Sequence, residues 1–345
     1  MTKVYVGMSG GVDSSLTAAL LKEQGYDVTG VYMKNWTKDL PGMKCPWADD
    51  LADAKRVAVQ LGIDFKVFDF ENEYKQKVVD YMIDEYKRGR TPNPDIMCNQ
   101  EVKFKLFLET ALEDGADMIA TGHYARVENG VLKQAVDTNK DQTYFLYRVT
   151  GAALQKTLFP LGEFTKPAVR EMARERGLYT AAKKDSQGIC FVGQIGIREF
   201  LSQYVEQVAG PLIDKKTGKK LGQHDGAIFY TIGQRHGLDL GGGLPYYVVG
   251  KDMDKNEVYV TTDLNDETLW KPELKLIDVH WINGVPVEGT FHVRIRHRAP
   301  LAAATLTFEG NDVRLVMDHA ERAAAAGQSV VIYNGDTCIG GGIIA

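Results

Sequence analysis

Strand-like and helix-like patterns alternate along the first 120 residues, and that alternation constrains the fold more than any other feature of the chain. Residues 3–8 read as a buried strand, and 14–24 as a helix with Leu16, Ala19, Leu20 and Glu23 at turn spacing and Gly25 behind it. Strands at 27–34, 65–70 and 117–121 alternate with helices at 50–61, 73–88 and 101–114. Strands separated by helices pair in parallel, which predicts an α/β fold with a Rossmann-like parallel sheet and helices on both faces. Thr91-Pro92-Asn93-Pro94-Asp95 is expected to interrupt this pattern, because proline lacks an N–H and restricts the residue before it. Helical patterning continues to about Gly177, a polar connector follows at 183–190, and strands dominate from about Gly210. Residues 246–252 and 257–262 read as one hairpin, and Asn334-Gly335 after 330–333 as another. The expected organisation is an α/β domain over 1–188, a small mixed α/β central domain over 189–269 and a C-terminal β-barrel over 270–345.

Composition narrows the class. With 44% apolar and 25% charged residues in 345, the chain is expected to be a soluble globular protein. No run approaches the roughly 20 apolar residues of a membrane helix, and a strand begins at once with no signal-like segment ahead of it. Four cysteines do not make a disulfide framework, so a reducing cytoplasm is the expected compartment. A net charge of −5 argues against a general nucleic-acid coat and leaves room for a local basic surface.

The first strand–helix junction reads Gly7-Met8-Ser9-Gly10-Gly11-Val12-Asp13-Ser14. Glycines let the backbone approach an anion, and the helix start directs unpaired N–H groups at it. Ser9 and Ser14 add hydroxyls, and Asp13 is suited to a magnesium ion bridging phosphates. The run ends in no Gly-Lys-Ser/Thr and is not G-x-G-x-x-G, so neither the Walker nor the dinucleotide pattern applies. A plain capped glycine turn is the alternative for two glycines alone.

Two cysteines fall in polar segments marked by glycine or proline. Cys98 follows Asn93-Pro94-Asp95-Ile96-Met97 and precedes Asn99, read here as a helix cap that would put the thiol at a helix start and lower its pKa. Cys190 lies in Asp185-Ser186-Gln187-Gly188-Ile189-Cys190, with Lys183 and Lys184 nearby. Cys45 and Cys338 read as small buried apolar residues. A metal centre has little support, with no C-x-x-C pair and only Asp95 as an extra ligand. Further on, Phe291-His292-Val293-Arg294-Ile295-Arg296-His297-Arg298 reads as a strand with three arginines on one face, a candidate phosphate-binding ridge.

Together with Ala120-Thr121-Gly122-His123-Tyr124, these motifs occur in order along essentially the whole chain, which resembles the tRNA-uridine 2-sulfurtransferase family of the ATP-pyrophosphatase (PP-loop) superfamily. The resemblance implies ATP and Mg2+ as cofactors, tRNA and a persulfide-carrying sulfur-donor protein as partners, and 2-thiolation of the wobble uridine with release of AMP and pyrophosphate. It assigns ATP binding to Gly7 through Ser14, Met33 and Gly122. Cys190 would carry the persulfide, Cys98 would reduce it to leave a Cys98–Cys190 disulfide, and Asp95 would serve as base or orient the uridine. Asn93, Pro94, Asp95, His123, Lys140, Asp141, Gln142, Arg296, His297 and Gln328 would contact tRNA. The two thiols, 92 positions apart, would therefore have to converge. Other readings are a small-molecule amide ligase with the same loop, a non-catalytic nucleotide-dependent RNA-binding module, and thiolation of another tRNA position.

Overall fold

The computed structural model describes residues 1–39, 45–184, 196–241 and 243–345. Cys190 and its neighbours from Asp185 to Val192 lie outside the described residues, so the expected meeting of Cys190 with Cys98 does too.

Val4, Tyr5 and Val6 are fully buried in the central strand Lys3–Gly7. Asp27–Lys34 and then Asp64–Asp69 pair on one side of it, and Met118–Ala120 and then Thr157–Leu158 on the other, all in parallel. Strand order thus reverses at the C-terminal end of Lys3–Gly7, and the crevice opened by such a reversal is where α/β sheets bind ligands. The glycine-rich loop leaves the strand at this point and enters helix Val12–Glu23, which packs Leu16 and Ala19 against Val169 and Ala173 of helix Lys166–Glu175. The other helices begin earlier than the sequence suggests, at Trp47 rather than Asp50 and at Glu71 rather than Glu73.

Two local expectations are corrected. Thr91–Asp95 does not interrupt the helical pattern throughout: Asn93 caps a helix that starts at Pro94, its Oδ1 accepting from the N–H groups of Asp95 (3.1 Å) and Ile96 (3.3 Å). Proline is well suited to the first helical position, where its missing N–H would have had no partner. The helix runs on through Cys98–Leu106, with wider i→i+5 turns, to Phe107–Glu113. Cys98 therefore lies one turn inside the helix, 2% exposed, and Asn99 is not the cap. Nor does helix alone fill the chain up to Gly177. Arg126–Glu128 and Val131–Lys133 form a hairpin whose second strand pairs with the last strand of the chain, Thr337 opposite Lys133 and Cys338 opposite Leu132.

The C-terminal part is a six-stranded antiparallel barrel of Trp270–Trp281, Gly289–Arg294, Ala302–Glu309, Asp312–Arg322, Ser329–Asn334 and Thr337–Ile344. The first and last strands close it, Leu276 opposite Ile344 and Trp281 opposite Gly340. Leu276, Val293, Leu306, Leu315 and Val330 fill its interior. Between the two large parts lies a four-stranded sheet, in which the expected hairpin Tyr247–Asp252/Glu257–Thr261 joins Gly210–Asp214 and Lys220–His224. None of the described helices is long and apolar enough to cross a membrane.

The arginine ridge is also corrected. The strand ends at Arg294, whose side chain is 9% exposed and ion-paired at 3.0 Å with Asp141, itself 1% exposed. Arg298 has φ of +65° and has left the strand direction. Asp141 also accepts from Thr143 Oγ1 (2.7 Å) and the Ala135 N–H (3.0 Å), so a buried ion pair whose carboxylate is fully engaged joins the barrel to the α/β part, while the buried Arg294 Nε has no partner among the described residues. Breaking such a pair from one side leaves a buried charge alone, at about 3–5 kcal/mol, whereas replacing both partners with apolar groups costs far less. Urea unfolding should therefore show Arg294→Ala to be more destabilising than the double change Asp141→Leu with Arg294→Met. A double variant at least as unstable as the single one would contradict this.

Candidate functional site

The crevice at the strand reversal is an open cleft of about 1140 Å3. Gly7, Met8, Ser9, Asp13, Ser14, Met33 and Gly122 all line it. Gly10 and Gly11 form the turn beneath, and Val12 points into the core at 3% exposure. Gly10 has φ of +73°, and a Cβ there would meet the Asp50 carbonyl oxygen at 2.3 Å, so only glycine fits. Gly122 is constrained by approach: its Cβ would lie 2.9 Å from the backbone of Asp13 and Ser14. The helix start has no side-chain cap, and Ser14 Oγ accepts from the Ser9 N–H at 3.1 Å, holding the loop around the helix N-terminus. This is an anion cradle by geometry and by dipole. Its other wall, with Met33, Trp36 and Trp47, is flat and apolar enough for a base.

The cleft contains groups that sequence reasoning missed. Lys166 Nζ lies 2.7 and 2.8 Å from the two carboxylate oxygens of Asp13, with its side chain 9% exposed, and Tyr124 OH donates to Asp13 at 2.9 Å. Lys166 is a first-turn lysine before Pro167, and only the packing of its helix on Val12–Glu23 brings it to the loop. Lys103 also lines the cleft, from the helix that Asn93 caps. Lys183, near Cys190 in sequence, bonds Asp50 (2.8 Å) and Asp53 (2.7 Å).

A second pocket of about 420 Å3 gathers Asn93, Tyr144, Arg296, His297 and Gln328, residues from three distant parts of the chain. Arg296 is exposed and donates to the carbonyls of Arg322 (3.2 Å) and Ala323. His297 stacks near Phe145 with centroids 4.5 Å apart, and burial, followed by the charges of Arg298 and Arg294, lowers its pKa. Pro94 is buried, and Asp95 is half-buried in the first turn of the helix.

Three of the expected RNA contacts have internal roles. Asp141 holds Arg294. The Gln142 side chain accepts from the Tyr124 N–H at 2.9 Å, while Lys140 is half-buried beside them. His123 is buried against the cleft that it helps to line, 2.7 Å from Thr121 Oγ1 and packed on Phe104 and Phe159. Cys45 and Cys338 are buried, and desolvation raises both thiol pKa values. Among the described residues, no three His, Cys, Asp or Glu side chains are grouped to hold a metal.

Residues 2–194 match the tRNA methyl transferase HUP domain family, 198–262 the tRNA methyl transferase PRC-barrel domain and 271–344 the aminomethyltransferase beta-barrel domain. The chain is 49% identical to the tRNA-specific 2-thiouridylase MnmA 2 of Geobacillus kaustophilus (strain HTA426), covering 99% of this chain and 94% of that one. It is 48% identical to the tRNA-specific 2-thiouridylase MnmA of Staphylococcus saprophyticus, covering 99% and 95%. Among solved structures it is similar to a 4-thiouridine synthetase–RNA complex with bound ATP, at a TM-score of 0.40 and 19% identity over 59% of this chain and 50% of that one, a likeness too distant to bear on function.

Burial holds the pKa of His123 well below its usual value, so the ring is neutral when folded. Below about pH 6.5 the unfolded chain binds a proton there that the folded chain does not, and stability falls as pH falls. Unfolding measured between pH 7 and pH 5 should show this loss, at up to about 1.4 kcal/mol per pH unit from this residue. His123→Asn should flatten the slope by that amount; an unchanged slope would contradict the assignment.

Proposed function

Because the chain belongs to the tRNA-specific 2-thiouridylase family, a family of tRNA sulfurtransferases, we propose that it thiolates the wobble uridine of tRNA at C2 in an ATP-dependent reaction. The observation that carries the finer reading is the helix over 94–113. Its cap, Asn93, lines the pocket of Arg296, His297 and Gln328, its Lys103 lines the nucleotide cleft, and Cys98 is placed between them. One rigid element therefore spans the two pockets, which supports reading one as the place of a nucleotide and the other as the place of an RNA base.

ATP would place its phosphates on the Ser9–Ser14 cradle and its adenine against Met33 and the tryptophan wall. Magnesium binds through one or two carboxylates together with phosphate oxygens, and Asp13 is the carboxylate in position. Lys166, now bonded to Asp13, would turn to the phosphates when the ion takes its place. A uridine displaced from its stack, the usual access for chemistry on a base, would enter beside Asn93 and Asp95. Its C2 oxygen attacks the α-phosphorus and pyrophosphate departs, turning a poor leaving group into AMP. The terminal sulfur of a Cys190 persulfide, loaded by a sulfur-donor protein, then adds to C2. Cys98 takes up the remaining Cys190 sulfur as a disulfide, and AMP leaves with the former uridine oxygen. The disulfide must be reduced before the next turnover.

An amide ligase would have no use for a basic pocket at the far end of the helix, and a binding module would not depend on a cysteine. The protein incubated with ATP, magnesium, a persulfide-carrying sulfur-donor protein, a thiol reductant and unmodified tRNA should yield 2-thiouridine on digestion and mass analysis. Cys190→Ser and a tRNA lacking the wobble uridine should each reduce product by at least 100-fold. AMP formed without thiolated RNA would return the ligase reading, and product from the tRNA lacking that uridine would move the target position.

A further inference from the structure

The pocket that holds Arg296 and His297 borders a turn of the central sheet region, residues 231–237, to which nothing above gives a role. Thr231 Oγ1 lies 3.0 Å from Thr91 Oγ1, and Thr91 lines the pocket. Two residues on, Gly233 packs so closely on Ala323 that a Cβ there would come within 2.3 Å of the alanine methyl. Ala323 is also the residue whose carbonyl receives the Arg296 guanidinium. The turn is thus joined at one end to the segment leading into Asn93 and at its middle to the loop that orients Arg296.

Its own hydrogen bonds make it rigid. The Gly233 N–H donates to the Val248 carbonyl (2.7 Å) and the Val248 N–H to the Gln234 carbonyl (2.9 Å). The Gln234 side chain accepts from the Thr231 N–H (3.0 Å) and donates to the His236 carbonyl (2.9 Å), and Tyr230 OH donates to the Gly237 carbonyl (2.9 Å). This ordered loop presents Arg235 and His236, both exposed, at its apex. Among the described residues the Arg235 side chain makes no hydrogen bond, ion pair or ring contact. Other arginines of the chain are occupied: Arg294 by Asp141, Arg314 by Glu273, Arg148 by Asp278, Arg126 by Asp336. A cation left uncompensated on a rigid apex is placed for an anion from outside. With Arg296 and Arg298 also exposed and, among the described residues, without a carboxylate partner, the anion favoured is a polyanion running across all three.

We propose that Arg235 is a further tRNA ligand that binds a backbone phosphate of the RNA arm whose base enters beside Asn93, so that the central region as well as the barrel and the α/β part holds the substrate. This rests on the tRNA reading above. Phosphate contacts of this kind fix register and orientation without reading sequence. Because the turn bonds to Thr91, the same contact would align the segment that carries Asn93.

The test is binding of unmodified tRNA to the full chain across a salt series, with Arg235→Gln, Arg235→Lys and the wild type, and ATP binding followed in parallel. Arg235→Gln should weaken tRNA binding about 5- to 20-fold near 0.1 M salt and lower the slope of log K against log salt by about 0.7–0.9, the value of one phosphate contact. Arg235→Lys should keep most of the slope, and ATP binding and the melting temperature should stay unchanged in both. Wild-type thiolation with unaltered affinity and slope in Arg235→Gln would overturn the contact alone. A wild type that neither binds nor thiolates tRNA would overturn the tRNA reading, and this contact with it.

Discussion

Asp141 and Arg294, 153 residues apart in sequence, meet inside the molecule as a buried ion pair, and the geometry of both pockets depends on that contact. Asp141 belongs to the loop beside the nucleotide cleft, where its neighbour Gln142 holds Tyr124 and Tyr124 holds Asp13. Arg294 ends a barrel strand two residues before Arg296. A carboxylate and a guanidinium out of water are tolerable only with good geometry, so the pair admits few relative positions of the two modules. The hairpin Arg126–Glu128/Val131–Lys133 adds a second restraint by pairing with the last barrel strand. Arg296, His297 and Gln328 thereby come to face Asn93.

On the other side of the helix over 94–113, a purely steric constraint governs. The reversal of strand order opens a crevice, and the phosphate cradle fills it only because Gly10 allows a left-handed turn against Asp50 and Gly122 lets the next strand end press against Asp13 and Ser14. Main-chain closeness at this point replaces the side-chain lysine of a Walker loop, and Lys166 supplies positive charge from a separate helix. Fold and chemistry meet in the helix itself, whose start is fixed by Asn93 and Pro94 and whose second turn buries Cys98 in the shared core.

Much of this architecture was legible. Long buried strands and amphipathic helices carry periods that reveal them, and the parallel sheet and the barrel follow from those periods. Gly7, Met8, Ser9, Asp13 and Ser14 could be placed at the crevice because their loop is contiguous, whereas Met33 and Gly122 were given only by the resemblance. What escaped depends on distance or brevity. Strands of three residues, such as Arg126–Glu128, are too short to show a period. The three-arginine ridge failed because its compensating acid was sought nearby in sequence. The start of the Cys98 helix was misplaced because Asn93 and Asn99 are equally good caps, and proline was read as a breaker where it serves as a first residue. Lys166 and Arg235 carry no local signature at all, and only tertiary packing gives them a role.

The central claim is that the uridine oxygen is activated by ATP before sulfur arrives, and isotope transfer tests it most directly. Unmodified tRNA carrying 18O at C2 of its wobble uridine would be thiolated in ordinary water, and the AMP analysed by mass. The account predicts one 18O per AMP in step with 2-thiouridine formed, because AMP leaves with the oxygen that attacked the phosphorus. Unlabelled AMP accompanying thiolated RNA would mean that the nucleotide is cleaved by water or acts on another group, and would contradict the account.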